Sequence, residues 1–321
     1  MTAMHFLSLM DFSRDDLAQI IERASELKHL HTTGVHHRPL EGKTLAMIFE
    51  LKSTRTRVAF EAGMHQLGGR AIFLRPDETQ LGRGEPVGDT ARVLSSLVDI
   101  VMLRVLDHTD LNSFAAASSV PVINGMSDRF HPCQLLADMQ TFIEKRGSIR
   151  DQSVAFIGDG YNMCNSYILA SDQFDFDLAI STPTEFRPDA GLIDSSSRAR
   201  WVASPEEAVS GANLVITDVW SSMGQENERT ERLEAFQGFQ VNADLLDNAH
   251  PDVLFMHCLP AHRGDSLTVS GTIGTVCRSA GCWFTLRDLT GEEQVEIFVN
   301  LLGGATFTVP TRTEGKSAVL V

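Results

Sequence analysis

The sequence predicts an α/β protein of two domains, each a parallel sheet flanked by helices. Three observations carry that prediction. Short apolar runs alternate with stretches of helical spacing, the order that helices covering a parallel sheet require. The alternation comes as two series, divided by the polar segment Arg146-Gly147-Ser148-Ile149-Arg150-Asp151-Gln152. Length agrees, since 321 residues make two domains at roughly 100–200 residues each. The boundary is placed in the polar segment, giving domains over 1–146 and 147–321.

The first series opens with a helix over 14–31, where Leu17, Ile20, Ile21, Ala24, Leu27 and Leu30 form one apolar stripe. Thr44 to Phe49 is a short buried strand. Arg57 to Leu67 is helical and stops at Gly68-Gly69. Ala71–Leu74, Ile100–Leu103 and Pro121–Asn124 are strands, with helices over 89–98 and 132–145. In the second series, Val154–Gly158, Leu178–Thr182, Leu214–Thr217 and Val253–Met256 are strands. A helix begins at Asn165, and another covers 204–209 with Ser204 as cap and Pro205 at its first position.

Composition narrows the function. A formal net charge of −15 repels polyanions, so nucleic acid is not an expected partner. No run of about 18 apolar residues is present, so no membrane helix is expected. The start, Met1-Thr2-Ala3-Met4-His5-Phe6, lacks the basic and apolar regions of a secretory signal. Five cysteines are scattered without a Cys-x-x-Cys pair, which fits neither a disulfide framework nor a zinc knuckle. A reducing, cytoplasmic setting fits them.

Several segments carry chemistry. Ser53-Thr54-Arg55-Thr56 follows the first strand and opens a helix, where free N–H groups, a positive dipole end and an Arg fork suit a phosphate. The plain alternative is an ordinary capped helix. Arg104 ends an apolar strand, at the edge where α/β sheets bind ligands; the alternative pairs it with Asp107. Gly158-Asp159-Gly160 follows a strand but lacks the G-x-G-x-x-G spacing, so no nicotinamide cofactor is indicated. Asp218 also follows a strand, where a turn cap is the plain alternative. Cys258 stands beside His257. A Cys–His nucleophile is the rival there, but strand neighbours point to opposite faces.

Taken together, these segments resemble the aspartate and ornithine transcarbamylase family. Phe49-Glu50-Leu51-Lys52-Ser53-Thr54-Arg55-Thr56-Arg57 resembles its carbamoyl-phosphate motif, and His131-Pro132-Cys133-Gln134-Leu135-Leu136-Ala137-Asp138 matches a second one. Gly158 to Ser166, Thr217 to Gly224 and Met256 to Arg263 resemble its acceptor segments, in the ornithine version. The resemblance implies a site for carbamoyl phosphate from Ser53, Thr54, Arg55, Thr56, Gln80, Arg104, His131, Gln134, Cys258 and Leu259. It implies that Asn162, Asp218, Ser222 and Met223 hold ornithine. Arg104, His131 and Cys258 are the catalytic candidates.

The implied reaction gives citrulline and phosphate from carbamoyl phosphate and L-ornithine, without metal or organic cofactor. The family also implies trimers with shared sites, Gln80 belonging to a loop that reaches a neighbouring subunit. The alternatives are another amine acceptor, such as putrescine or an acylated ornithine, or an impaired paralogue with a binding or regulatory role. The resemblance spans about residues 5–266. Beyond it the family's Glu-Asn-Arg segment is missing, and Arg278, Arg287 and Arg312 lie in no matching context. A reading-frame change near residue 266 and true divergence both fit. Within this tail, Val295, Ile297, Phe298, Leu301 and Leu302 are expected to make one face of a short helix stopped by Gly303-Gly304, with poor packing from about 303 onward.

Overall fold

Each of the chain's two compact units is built on a sheet of parallel strands. The structure, a computed structural model, describes residues 4–80, 84–222, 225–258 and 264–266, and beyond these the backbone of five short strands. Unit 1 comprises Met1–Gln140 and Ala280–Leu302, and unit 2 comprises Thr141–Ser279 and Gly303–Val321.

Unit 1 runs α1 (Arg14–Thr32), β1 (Thr44–Phe49), α2 (Thr54–Gln66), β2 (Arg70–Leu74), α3 (Val87–Ser95), β3 (Ile100–Arg104), α4 (His108–Ala117), β4 (Val122–Met126) and α5 (Pro132–Arg146), whose last residues belong to unit 2. The four strands pair in parallel in the order β2-β1-β3-β4. Every residue of β3 and β4 is buried, as expected for strands covered on both faces. Ile48, Val101 and Leu103 pack against Leu111 and Phe114 in one core cluster. α1 is secured by a capping box between Ser13 and Asp16, which satisfies orphan N–H groups at its start.

Unit 2 continues with β5 (Ser153–Ile157), α6 (Asn162–Phe174), β6 (Asp177–Ser181), α7 (Ala190–Ser195), β7 (Ala199–Trp201), α8 (Pro205–Val209), β8 (Leu214–Thr217), α9 (Arg229–Ala235), α10 (Ala243–Leu246) and β9 (Leu254–His257). The strands β9-β8-β5-β6-β7 are parallel neighbours in that order. Ser204 caps α8 through its side chain and Pro205 stands at the first position, as expected.

Both sheets reverse direction in the middle. From β1 the chain moves to β2 on one side and reaches β3 on the other; from β5 it moves to β6 and returns to β8 on the opposite side. At such a switch point neighbouring crossovers leave in opposite directions, and a crevice opens beyond the C-terminal strand ends.

Two helices start earlier than their spacing predicts. α2 begins at Thr54, because Ser53 is extended and accepts the Thr56 N–H at its side chain. α6 begins at Asn162 with no side-chain cap to announce it. The tail departs further. Gln294–Asn300 is a strand, β12, antiparallel to β11 (Gly281–Arg287), and not the expected helix. Its β-branched residues Val295, Ile297 and Val299 recur with period two, a strand pattern that coexists with the helical face, and the pairing with β11 selects it. Leu301 and Leu302 lie outside the described residues. From 303 onward the described backbone forms paired strands, while the packing of their side chains lies outside what is described. β13 (Gly304–Thr308) pairs with β14 (Ser317–Leu320), which joins β9 in parallel; β10 (Val276–Cys277) pairs with β13.

One glycine is fixed by sterics at the turn that starts α6. A Cβ on Gly160 meets the Pro188 nitrogen at 2.2 Å and the Phe186 carbonyl oxygen at 2.5 Å, both backbone atoms that cannot swing away. Gly160→Ala is expected to cost at least about 1–3 kcal/mol, the usual penalty of overpacking. Gly88→Ala in α3, whose Cβ finds ordinary contacts, should be neutral or stabilising. Urea unfolding of both variants checks the contrast, and equal stabilities would contradict it.

Candidate active site

In unit 1 the described candidates gather beyond β1, β3 and β4, with Gln80 beyond β2. The Ser53 hydroxyl donates to Thr56 Oγ1 at 2.9 Å while accepting the Thr56 N–H at 3.3 Å. Thr54 and Arg55 occupy the first turn of α2, where N–H groups have no carbonyl four residues back. Thr54 is exposed, Ser53 and Arg55 are half-buried, and Thr56 is buried. Arg104 pairs with Phe49 across β3 and β1, and its carbonyl accepts the Glu50 N–H at 2.9 Å. The side chain is only 6 % exposed, and its Nη1 donates to the Gly125 carbonyl at 3.2 Å. It makes no ion pair with Asp107, whose carboxylate instead caps α4.

His131 precedes α5. Burial, and secondarily the positive charge of Arg104, lower its imidazole to about 3. The ring is therefore neutral near pH 7 and offers an N–H without carrying charge. Gln134 donates its side-chain N–H to Asp138 Oδ1 at 2.9 Å, one turn along the helix. That bond fixes which end of the amide is oxygen and leaves Oε1 as an acceptor. Gln80 is exposed, and its carbonyl accepts the Glu85 N–H at 3.1 Å; Leu81, Gly82 and Arg83 lie outside the described residues.

The turn that delivers His131 is organised by two residues not singled out from the sequence. Asn124, fully buried in β4, donates to the carbonyls of Leu7 and Phe130 and accepts the Met126 N–H. Ser127 accepts the N–H groups of Arg129 and Phe130. A polar side chain inside an otherwise apolar strand was the available signal for Asn124, since buried polar groups are kept only where they are bonded. Cys133 is buried and donates to the Asn124 carbonyl; burial raises its thiol well above the usual range.

In unit 2, Asn162 opens α6 just beyond β5 and is 3 % exposed. Asp218 follows β8. Its carboxylate accepts the Val219 N–H at 2.6 Å and a hydrogen bond from the Cys258 side chain. Burial nevertheless raises the carboxyl to about 6. The Ser222 N–H donates to Gln225 Oε1 at 2.9 Å, and the Gln225 N–H returns to the Ser222 carbonyl at 3.0 Å. Gln225 thus closes the ends of the segment holding Met223 and Gly224, which lie outside the described residues, as does Leu259.

The strand argument against a His257–Cys258 pair needs correction. β9 ends at His257, so alternation no longer applies to Cys258. Ligand atoms of Asp218, His257 and Cys258 all lie within 4.8 Å of one another. The three form a carboxylate, imidazole and thiol set of the kind that binds zinc. Here the imidazole bonds elsewhere, Nδ1 with the Cys258 carbonyl and Nε2 with Ser266 Oγ at 3.2 Å, while Cys258 and Asp218 bond each other. The Cys258 side chain donates to the Asp218 carboxylate. That arrangement suits a hydrogen-bonding group better than a nucleophile.

Two family models match the chain, one after the other. Residues 4–144 match the family model described as the carbamoyl-P binding domain of aspartate/ornithine carbamoyltransferase, and 150–275 match its Asp/Orn binding domain. The chain belongs to the aspartate/ornithine carbamoyltransferase family. It is 58% identical over 269 residues to the anabolic ornithine carbamoyltransferase of Pseudomonas aeruginosa, covering 84% of this chain and 88% of that protein. Among solved structures, the ornithine carbamoyltransferase of Pyrococcus furiosus aligns with a TM-score of 0.79 at 46% identity, covering 83% of this chain and 88% of that one. The Burkholderia thailandensis enzyme gives 0.77 at 45%, with the same coverage. Among the described residues, no helix is long and apolar enough to cross a membrane.

The raised Asp218 carboxyl has a stability consequence. Its folded value of about 6 exceeds the ordinary 3.8, so the buried charge destabilises the fold above about pH 6. That penalty disappears as pH falls to 3.8. Asp218→Asn should therefore raise the melting temperature of the ligand-free protein at pH 7.5, by about 2–4 °C for each kcal/mol relieved. The gain should vanish near pH 4. A lower Tm at pH 7.5 would contradict this account.

Proposed function

We infer that this chain transfers the carbamoyl group of carbamoyl phosphate to the δ-amine of L-ornithine, giving citrulline and phosphate. The observation that carries the inference is the placing of Ser53–Thr56 and Arg104 at the switch point of one sheet, with a neutral His131 beside Arg104's charge. A helix N-terminus and two guanidinium groups, Arg55 and Arg104, suit a dianionic phosphate. His131 donates to the carbamoyl oxygen as negative charge develops there, and Gln134 accepts from the carbamoyl nitrogen. Cys258 and the Leu259 carbonyl meet the carbamoyl nitrogen and the ornithine side chain. Asp218 holds the α-ammonium, while Asn162, Ser222 and Met223 contact the amino-acid end.

The neutral δ-amine attacks the carbamoyl carbon, the new C–N bond forming as the C–O bond to phosphate breaks. Holding two substrates in line supplies much of the rate. In this reading residues 1–146 serve carbamoyl phosphate and 147–321 serve ornithine. The protein works in the cytoplasm as a trimer or a multiple of trimers, with Gln80 completing a neighbour's site.

A citrulline assay with ornithine, putrescine and aspartate tests the reading. Ornithine should be strongly preferred; equal turnover of putrescine would sink it. Arg55→Ala should lose about 1.5–3 kcal/mol of carbamoyl-phosphate binding, about 10- to 150-fold by calorimetry, while melting normally. Unchanged affinity in that variant removes the phosphate assignment.

The pH profile gives a separate check. The attacking amine, with an ordinary value near about 10.4, must lose a proton, so kcat/KM for ornithine should climb tenfold per pH unit between about 7 and 9. Below about 6 protonation of Asp218 removes the partner of the α-ammonium, and the ornithine KM should rise steeply. A flat kcat/KM from pH 7 to 9 contradicts the first step, and an ornithine KM unchanged between pH 7 and 5 contradicts the second.

A further inference from the structure

Arg232, in α9, is only 5 % exposed, and its guanidinium ties together segments far apart in the chain. Nη1 donates to Asp159 Oδ2 at 2.8 Å and to the Trp220 carbonyl at 3.1 Å. Nε donates to Glu228 Oε2 at 2.9 Å, and the guanidinium carbon lies 4.5 Å from the centre of the Phe186 ring. Asp159, also 5 % exposed, belongs to the turn between β5 and Asn162. Trp220 lies midway between Asp218 and Ser222 and stacks on Phe236 from α9's C-cap. One side chain therefore fastens the turn that starts α6 to the loop that follows β8.

Stability alone is a poor reason for this arrangement. Desolvating a buried ion pair costs about as much as the pair returns, and apolar replacements are often no less stable. What a planar fork offers is direction. Its N–H groups reach Asp159, Trp220 and Glu228 at fixed angles, which a lysine point charge cannot do at once.

We propose that Arg232 is a positioning residue for the amino acid acceptor, holding the 219–222 loop against the turn that carries Asn162. The proposal rests on the reading of Asn162, Asp218 and Ser222 as acceptor contacts. Arg232 itself touches neither substrate. Its loss loosens the geometry that recognises ornithine and leaves the carbamoyl-phosphate half intact.

The test compares full-length Arg232→Lys and Asp159→Asn with the parent chain. It measures KM for each substrate, kcat, and thermal melting. Arg232→Lys keeps the charge, and Asp159→Asn keeps the shape and one acceptor, so at least one folded variant is expected. In a folded variant the ornithine KM should rise about tenfold or more, equivalent to about 1.4 kcal/mol. The carbamoyl-phosphate KM and kcat should stay within about twofold, a split that general destabilisation does not produce. The double variant should be no worse than the poorer single one, because contacting residues do not add. An unchanged ornithine KM, or a parallel rise in both KM values, overturns the positioning role while the parent stays active. A parent chain that neither binds nor carbamoylates ornithine overturns the acceptor reading itself, and the proposal with it.

Discussion

Parallel pairing of β1 with β3, and of β5 with β8, is the constraint on which the rest of the structure depends. Parallel strands end on the same edge of a sheet, so whatever follows them is delivered to one place. The order reversal at each pair then opens space there, because neighbouring crossovers leave in opposite directions. Ser53, Arg104, Asn162 and Asp218 all sit at or just past such strand ends. None is close to its partners in sequence. Within each unit, the cost of placing such residues at one sheet edge falls on the apolar strands, each buried large side chain contributing about 1.5–3 kcal/mol.

Against that apolar background the site is held in unfavourable electrostatic states. Burial and Arg104 keep His131 uncharged, with its imidazole near 3. Burial raises Asp218 to about 6 and Asp159 to about 7, the latter opposed by Arg232. Such displaced values are common where a site is prepared for a charged ligand. In the proposed reading, a chain with formal net charge −15 still offers Arg55 and Arg104 to an anion, because local geometry decides binding at short range.

Much of this was legible in the sequence, for physical reasons that differ by element. β1 was recovered to the residue, since an apolar run between polar flanks has few other fates. The start of α6 was not. Tyr161 makes no side-chain cap, so nothing local marks the first turn. The tail strand β12 was misjudged because its residues satisfy a helical face and a strand period together, and only pairing with β11 decides. The position of the motif residues after strands was legible through the apolar runs that precede them. Asn124 was missed because its partner Leu7 stands 117 residues away; Ser127 was missed because it bonds Arg129 and Phe130 within a turn that no periodicity marks. Arg232 was missed for the same reason as Asn124: in a short helix it resembles any solvated arginine, and Asp159 stands 73 residues away.

The most direct test of the account is a crystal structure with a bisubstrate analogue that joins a phosphonate to ornithine. The account predicts the phosphonate at the N-terminus of α2, bonded to the Ser53–Thr56 turn and to Arg104. It also predicts the amino acid end at Asp218 and Asn162, with the Arg232–Asp159 contact intact. A phosphonate seated away from the Ser53–Thr56 turn, or an amino acid end that leaves Asp218 empty, would contradict it.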